Sequence, residues 1–205
     1  MIDYRPVGAI GANCYIFSCP ETKKAAIIEP GANSEALKKW IEDKGVEVEY
    51  ILLTHGHWDH IGAVDKIREA TGAKVGIHSQ DAEMLTNGNM NLSTMLGRPF
   101  ALNAPDFFLE DGQVIQVGNL SMKVIATPGH TKGGVCFLTP DGLISGDTLF
   151  QGSIGRTDLP GGSYDELIKA ITQKLLVLPD DTKVYPGHGP ESTIGGEKRI
   201  NPFLQ

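Results

Sequence analysis

Hydrophobic and polar positions along the chain switch between a two-residue and a three-to-four-residue rhythm, as expected of short strands interleaved with helices. Apolar runs at residues 14–18 and 25–29, separated by the turn-prone Pro20-Glu21-Thr22-Lys23, predict two strands. Ser34 is a candidate helix cap ahead of Ala36, Leu37, Trp40 and Ile41, with Gly45 as the stop. A buried strand at 50–54, a helix from about 61 to 70 and a strand at 75–78 follow. Residues 86–106, rich in Asn, Gly and Pro, break the rhythm; a binding loop and a plain surface excursion both fit them. Strands then dominate, at 114–117, 120–126, 135–139 and 143–145. A helix over 164–175 carries Leu167, Ile168, Ile171 and Leu175 at helical spacing, and a last strand at 183–185 enters Pro186-Gly187-His188-Gly189-Pro190. Mixed elements in this order predict sheets covered by helices.

The 205 residues show no internal repeat or linker, so one domain over residues 1–205 is expected, long enough to bury a core without disulfides. The 18 Lys and Arg against 25 Asp and Glu leave a net charge of −7, which argues against a nucleic-acid partner. No hydrophobic run exceeds four residues, as at residues 25–28, so no membrane span is expected. The opening Met1-Ile2-Asp3-Tyr4-Arg5-Pro6 does not read as a signal peptide, and the expected location is cytoplasmic. Cys14, Cys19 and Cys136 form no disulfide framework and read as small buried apolar residues.

Three of the six histidines fall in His55-Gly56-His57-Trp58-Asp59-His60. Leaving a strand in extended chain, His55 and His57 point to the same side and can grip one ion. Asp59 and His60 come a step later, where the chain turns into a helix, and aim at a neighbouring point. Two metal positions follow. Three later segments repeat a local grammar of strand, Gly-bearing turn and one ligand-type side chain, namely Thr127-Pro128-Gly129-His130-Thr131, Ser145-Gly146-Asp147-Thr148 and Pro186-Gly187-His188-Gly189-Pro190. Gly56, Gly129, Gly146, Gly187 and Gly189 each adjoin one of these candidates. His78 falls outside the pattern and reads as structural.

These motifs, with Gly11-Ala12-Asn13-Cys14-Tyr15, Glu29-Pro30-Gly31, Gly155-Arg156-Thr157-Asp158 and Asn201-Pro202-Phe203-Leu204, resemble the metallo-β-lactamase superfamily, and within it the short bacterial glyoxalase II-like hydrolases. The resemblance implies an α/β fold of the four-layer αββα sandwich type. His55, His57 and His130 would hold a first metal and Asp59, His60 and His188 a second, with Asp147 bridging. Two divalent ions are implied, zinc foremost, with iron or manganese also suited to such donors. The implied reaction is hydrolysis of a small-molecule 2-hydroxyacyl thioester such as S-lactoylglutathione, Asp59 orienting the nucleophile. Only 17 residues follow His188, so the C-terminal helical domain of longer relatives is not expected here. Arg156 stands where they carry a lysine and is either a substrate-carboxylate ligand or the partner of Asp158. Glu29 stands where aspartate is common, with a hydrogen bond to a metal ligand as one option. Mononuclear iron persulfide dioxygenases share several motifs and would use His55, His130 and Asp147 alone.

Overall fold

A computed structural model describes residues 1–205. The first half of the chain builds a six-stranded sheet, β1 (Ile2–Val7), β2 (Ala12–Ser18), β3 (Lys24–Ile28), β4 (Glu47–Leu52), β5 (Lys74–His78) and β6 (Phe107–Leu109), in that spatial order. The second half builds another from β7 (Val114–Val117), β8 (Leu120–Ala126), β9 (Val135–Thr139), β10 (Gly142–Gly146), β13 (Lys183–Pro186) and β14 (Ser192–Thr193), ordered β14-β13-β10-β9-β8-β7. A small ribbon of β11 (Leu149–Phe150) and β12 (Ser153–Ile154) leaves the end of β10.

Alternation within the strands decides the layers. In β2, Tyr15 and Phe17 face inward to a core shared by both sheets with Val124, Phe137 and Ile144. Cys14 and Ile16 face outward, against Leu37, Trp40 and Ile67 of α1 (Ser34–Lys44) and α3 (Val64–Thr71). On the far side Ile125, Cys136 and Val184 meet Leu167, Ile171 and Leu175, from α5 (Tyr164–Ala170) and the wider π-type turns that follow it. The result is the expected αββα sandwich. All three cysteines are buried, as predicted.

Several boundaries differ from the sequence reading. Helix α1 begins at Ser34, and its cap position belongs to Asn33, held in the left-handed region at φ 56° without a side-chain cap, so Ser34 does not cap it; Gly45 does end it. The helix expected over 61–70 starts earlier, as α2 (Trp58–Ile61), and restarts as α3, because Ala63 N–H is diverted to Pro30 O (2.9 Å). Residues 86–106 are tied to the body. They follow α4 (Ala82–Thr86), contain a 3₁₀ turn at Ser93–Leu96 and bury Asn91, whose carbonyl accepts the Trp58 N–H at 2.9 Å.

Strands β8, β10 and β13 run the same way, since β10 and β13 pair in parallel and β8 and β10 are each antiparallel to β9. Their C-terminal ends therefore share one edge of the second sheet. The C-terminal end of β4 reaches that edge through the Val135 N–H to Thr54 O bond of 2.9 Å.

Candidate metal centre

At that edge the four loops converge. The donor atoms of His55, His57 and His130 all lie within 4.8 Å of one another, as do those of Asp59, His60 and His188. Within the first group His57 Nδ1 stands 3.0 Å from His130 Nε2. Within the second, His188 Nε2 stands 3.0 Å from Asp59 Oδ2 and 3.2 Å from His60 Nε2. Nitrogens about 2.0–2.1 Å from one shared tetrahedral ion would be about 3.3 Å apart, so both spacings fit. Asp147 lies between the groups, Oδ2 at 3.6 Å from His130 Nε2 and Oδ1 at 3.6 Å from His60 Nε2.

The protonation pattern supports the same use. His130 Nδ1 donates to the Arg156 carbonyl at 2.7 Å, which leaves its Nε2 lone pair facing the site. His55 Nδ1 donates to Thr54 Oγ1 at 3.0 Å, and its buried Nε2 has no hydrogen-bond partner. Asp147 Oδ1 is equally buried and unpartnered. Orphaned polar atoms at this depth are costly unless something satisfies them, and a divalent cation among imidazoles and carboxylates does so.

Glu29 completes the support. It is fully buried, and its Oε1 accepts from Thr54 N–H (2.9 Å) and Thr54 O–H (2.7 Å), while Oε2 accepts from His60 Nδ1. One carboxylate thereby orients His60 directly and His55 through the Thr54 hydroxyl. Its backbone is left-handed, φ 59°, a conformation that costs a non-glycine residue about 1–2 kcal/mol. The hydrogen bond to a ligand that the sequence left open is present.

The His188 loop is clamped from the other sheet. Asn13 Nδ2 donates to Pro186 O (2.9 Å) and Gly189 O (3.0 Å), and Tyr15 O–H donates to Pro186 O (2.5 Å). Gly187 packs so closely on the Asp147 carboxylate and the His60 ring that a side chain would collide with both. The His130 loop is held by buried Asp81, which accepts from Thr131 O–H (2.6 Å) and Gly133 N–H (2.7 Å).

Burial and neighbouring imidazoles hold the His55 proton affinity well below its ordinary value, and burial followed by the charge of His130 drops His57 to about 3. His60 behaves oppositely. Burial disfavours its charge, but Glu29, Asp147 and Asp59 outweigh this and push it well above the usual range. His188 is raised as well, its hydrogen bond to Asp59 overcoming burial. Burial opposes ionisation of Asp59, yet the imidazoles of His60 and His188 win and lower it.

The sequence model of the metallo-beta-lactamase superfamily matches residues 7–188. The chain belongs to this superfamily. It is 40% identical over 202 residues, 97% of this chain and 95% of the other, to the probable metallo-hydrolase YqgX of Bacillus subtilis. It is 38% identical over 207 residues, covering 99% and 97%, to the hydroxyacylglutathione hydrolase GloC of Haemophilus influenzae. Among solved superfamily structures it superposes on the BLEG-1 B3 metallo-beta-lactamase with a TM-score of 0.96 at 40% identity, both chains covered in full. The di-iron-bound form of TTHA1623 gives 0.87 at 36% identity, covering 97% and 98%. ETHE1 from Myxococcus xanthus gives 0.82 at 28%, covering 98% of this chain and 83% of that one.

All seven residues proposed as ligands in this superfamily member, His55, His57, Asp59, His60, His130, Asp147 and His188, come together. Arg156 does not join them through its side chain. Its guanidinium is exposed and doubly hydrogen-bonded to Asp158, Nε to Oδ1 at 2.9 Å and Nη2 to Oδ2 at 2.8 Å, the alternative that the sequence allowed. What Arg156 contributes to the site is its main-chain carbonyl. His78 stays outside, its Nδ1 accepting from Gln80 N–H at 3.3 Å. Sequence reasoning passed over Asn13, Tyr15, Thr54 and Asp81 as functional residues. The Gly11-Ala12-Asn13-Cys14-Tyr15 motif was the visible signal for Asn13 and Tyr15, and Thr54 stood directly before the HxHxDH run; Asp81 lay in no motif. No helix of this chain is long and apolar enough to cross a membrane.

Proposed function

We propose that this metal-dependent hydrolase of the metallo-beta-lactamase superfamily cleaves 2-hydroxyacyl thioesters of a small thiol. The observation that carries the reading is the completeness of the second donor set: Asp59, His60 and His188 converge beside the first set, with Asp147 between them. Mononuclear persulfide dioxygenases share the HxHxDH run and would use only His55, His130 and Asp147; the Pro186-Gly187-His188-Gly189-Pro190 loop, which adds His188 to the second set, is what favours the hydrolase. Similarity to GloC over nearly the whole of both chains supports the thioester, and the TTHA1623 di-iron form supports a pair of ions in a chain of this kind. Zinc is the proposed pair, with iron or manganese compatible with the same donors.

Two divalent cations held by these residues would polarise the thioester carbonyl and bring a water molecule's pKa toward neutrality. The protein's own groups set the rest. Asp59 Oδ2 is engaged with His60 and His188, so Oδ1 is the atom left to accept a hydrogen bond from the attacking water and aim its lone pair at the carbonyl carbon. Glu29 and Thr54 keep the His60 and His55 rings from turning. His188, with 27% of its side chain exposed against 0–6% for His55, His60 and His130, marks the face from which substrate arrives. As the water oxygen bonds to the acyl carbon, the C–S bond breaks; the products are the 2-hydroxy acid and the thiol, which takes up the proton.

The test combines metal analysis with turnover. Two ions per chain and thiol release from S-lactoylglutathione are expected. One iron per chain, with oxygen uptake on glutathione persulfide and no thioester cleavage, would establish the dioxygenase instead.

A further inference from the structure

The Arg156 guanidinium is paired with Asp158 at the surface, and a second cation near the site offers the substrate's thiol arm a further anchor. Beside the first donor set lies a cavity of about 240 Å³. Its inner wall is Met84, packed against Gly56 between His55 and His57, together with Thr131, the neighbour of His130. Met90 and Pro160 form the outer wall. The stem of Lys132 runs along Gly161, in ordinary contact range: a Cβ built there would sit 3.6 Å from Lys132 Cγ and 3.9 Å from Cε. Lys132 is exposed and enters none of the molecule's ion pairs, unlike Arg156. Asp81 also lines the cavity, but it is 1% exposed and both of its oxygens are engaged by Thr131 and Gly133.

We propose that this cavity seats the thiol arm of the substrate and that Lys132 binds a carboxylate carried by that arm. The occupant class is a thiol of short-peptide size with a free carboxylate. The placement follows from the order of walls: a substrate whose carbonyl lies at His57 and His130 passes Met84 and Thr131 and then meets Lys132. Two thioether side chains suit such an arm, because unbranched methionine fits irregular, flexible ligands. The ammonium supplies a point charge, which asks only for a nearby anion and not for a fixed bidentate geometry. This assignment rests on the thioester reading, so its test includes a measurement that does not need hydrolysis.

The metal-loaded protein, carrying methyl-labelled methionines assigned by single Met→Leu variants, is titrated with S-methylglutathione, a thioether that cannot be hydrolysed, and with its diethyl ester. The Met84 and Met90 methyl signals are expected to shift with the free acid. Its affinity should fall about tenfold in Lys132→Gln, the loss of one partly exposed charge-assisted contact, and return in Lys132→Arg. The diester should bind the unaltered protein as weakly as the acid binds Lys132→Gln. In turnover, Lys132→Gln should raise KM about tenfold for a glutathione thioester with kcat nearly unchanged, and leave a neutral N-acetylcysteamine thioester unaffected. Unmoved methionine signals, or equal affinity in Lys132→Gln, would overturn the assignment. If no thioester is cleaved, the thioester reading falls while the titration still decides the cavity.

Discussion

His55, His57 and His130 make a donor set of three imidazoles in a nearly dry wall, whereas Asp59, His60 and His188 combine a carboxylate with two imidazoles, one of them open to solvent. Without metal, the two sets treat a proton differently. In the first, His55 and His57 are held neutral by burial and by each other, and their lone pairs stand ready. In the second, three carboxylates overcome burial at His60, and Asp59 does the same at His188, so a proton is held more tightly where a cation would bind. Neutral, preorganised donors bind without displacing anything; charged donors attract a cation more strongly but must first release a proton. The neighbouring sites should therefore differ in pH response although they share Asp147.

The largest effect is expected where the two sets meet. Asp147→Ala should strip metal from both and reduce thioester turnover by about a thousandfold or more, measured by elemental analysis and thiol release; a fully metallated, active variant would show that each set stands without its shared carboxylate. Glu29→Gln keeps an oxygen for Thr54 but turns an amide toward His60 Nδ1. Metal affinity should drop about 10- to 100-fold, the usual penalty for losing a group that orients a ligand, and the drop should be greater at the second set. Competition titrations with a chelator would read this, and equal losses at both sets would blur the contrast.

Asn13→Ala should weaken the second set alone, because it takes a donor from the Pro186 and Gly189 carbonyls, leaving the first to Tyr15, and loosens only the loop bearing His188. The same change should cost about 1–3 kcal/mol of stability in urea unfolding of the metal-free protein, the price of leaving buried hydrogen-bonding groups unpaired. A pH series separates the sets without mutation. With His57 near 3 and His55 held well below its ordinary value, protons compete little for these two donors near neutrality, whereas His60 and His188 sit above the ordinary value of about 6.5 and must deprotonate. Affinity at the second set should thus rise as pH increases above that ordinary value, with that at the first set responding less. The smallest effect belongs to Arg156→Ala, which leaves the carbonyl that His130 uses; metal content should be unchanged.

How much of this the sequence discloses depends on whether a feature is local. The HxHxDH run and the strands at 114–117 and 120–126 are read from residues near one another, and the structure reproduces those strand boundaries. Strand β1 was missed because it is an edge strand with three consecutive exposed residues and no clean alternation, and β6 because three residues are too few to show a period. The end of α1 was legible in Gly45, while its start was not, since Asn33 enters it in a left-handed conformation that tertiary packing imposes. At the site, ligand identities follow from spacing and resemblance, but their supports lie far away in sequence. Glu29 meets Thr54 across 25 residues, and Asn13 meets Pro186 across 173. Only the pairing of the sheets reveals such contacts. The Arg156 to Asp158 pair shows the converse, a local contact that was visible and, in the structure, is the one formed.

The most direct test of two unequal sets sharing Asp147 is titration of the metal-free protein with cobalt(II) near pH 7, monitored by ligand-field absorption. Two equivalents per chain should bind in resolved steps, the second step moving with pH and vanishing in Asp59→Ala and His188→Ala while the first survives. Saturation at one equivalent, indifferent to those two substitutions, would contradict the account.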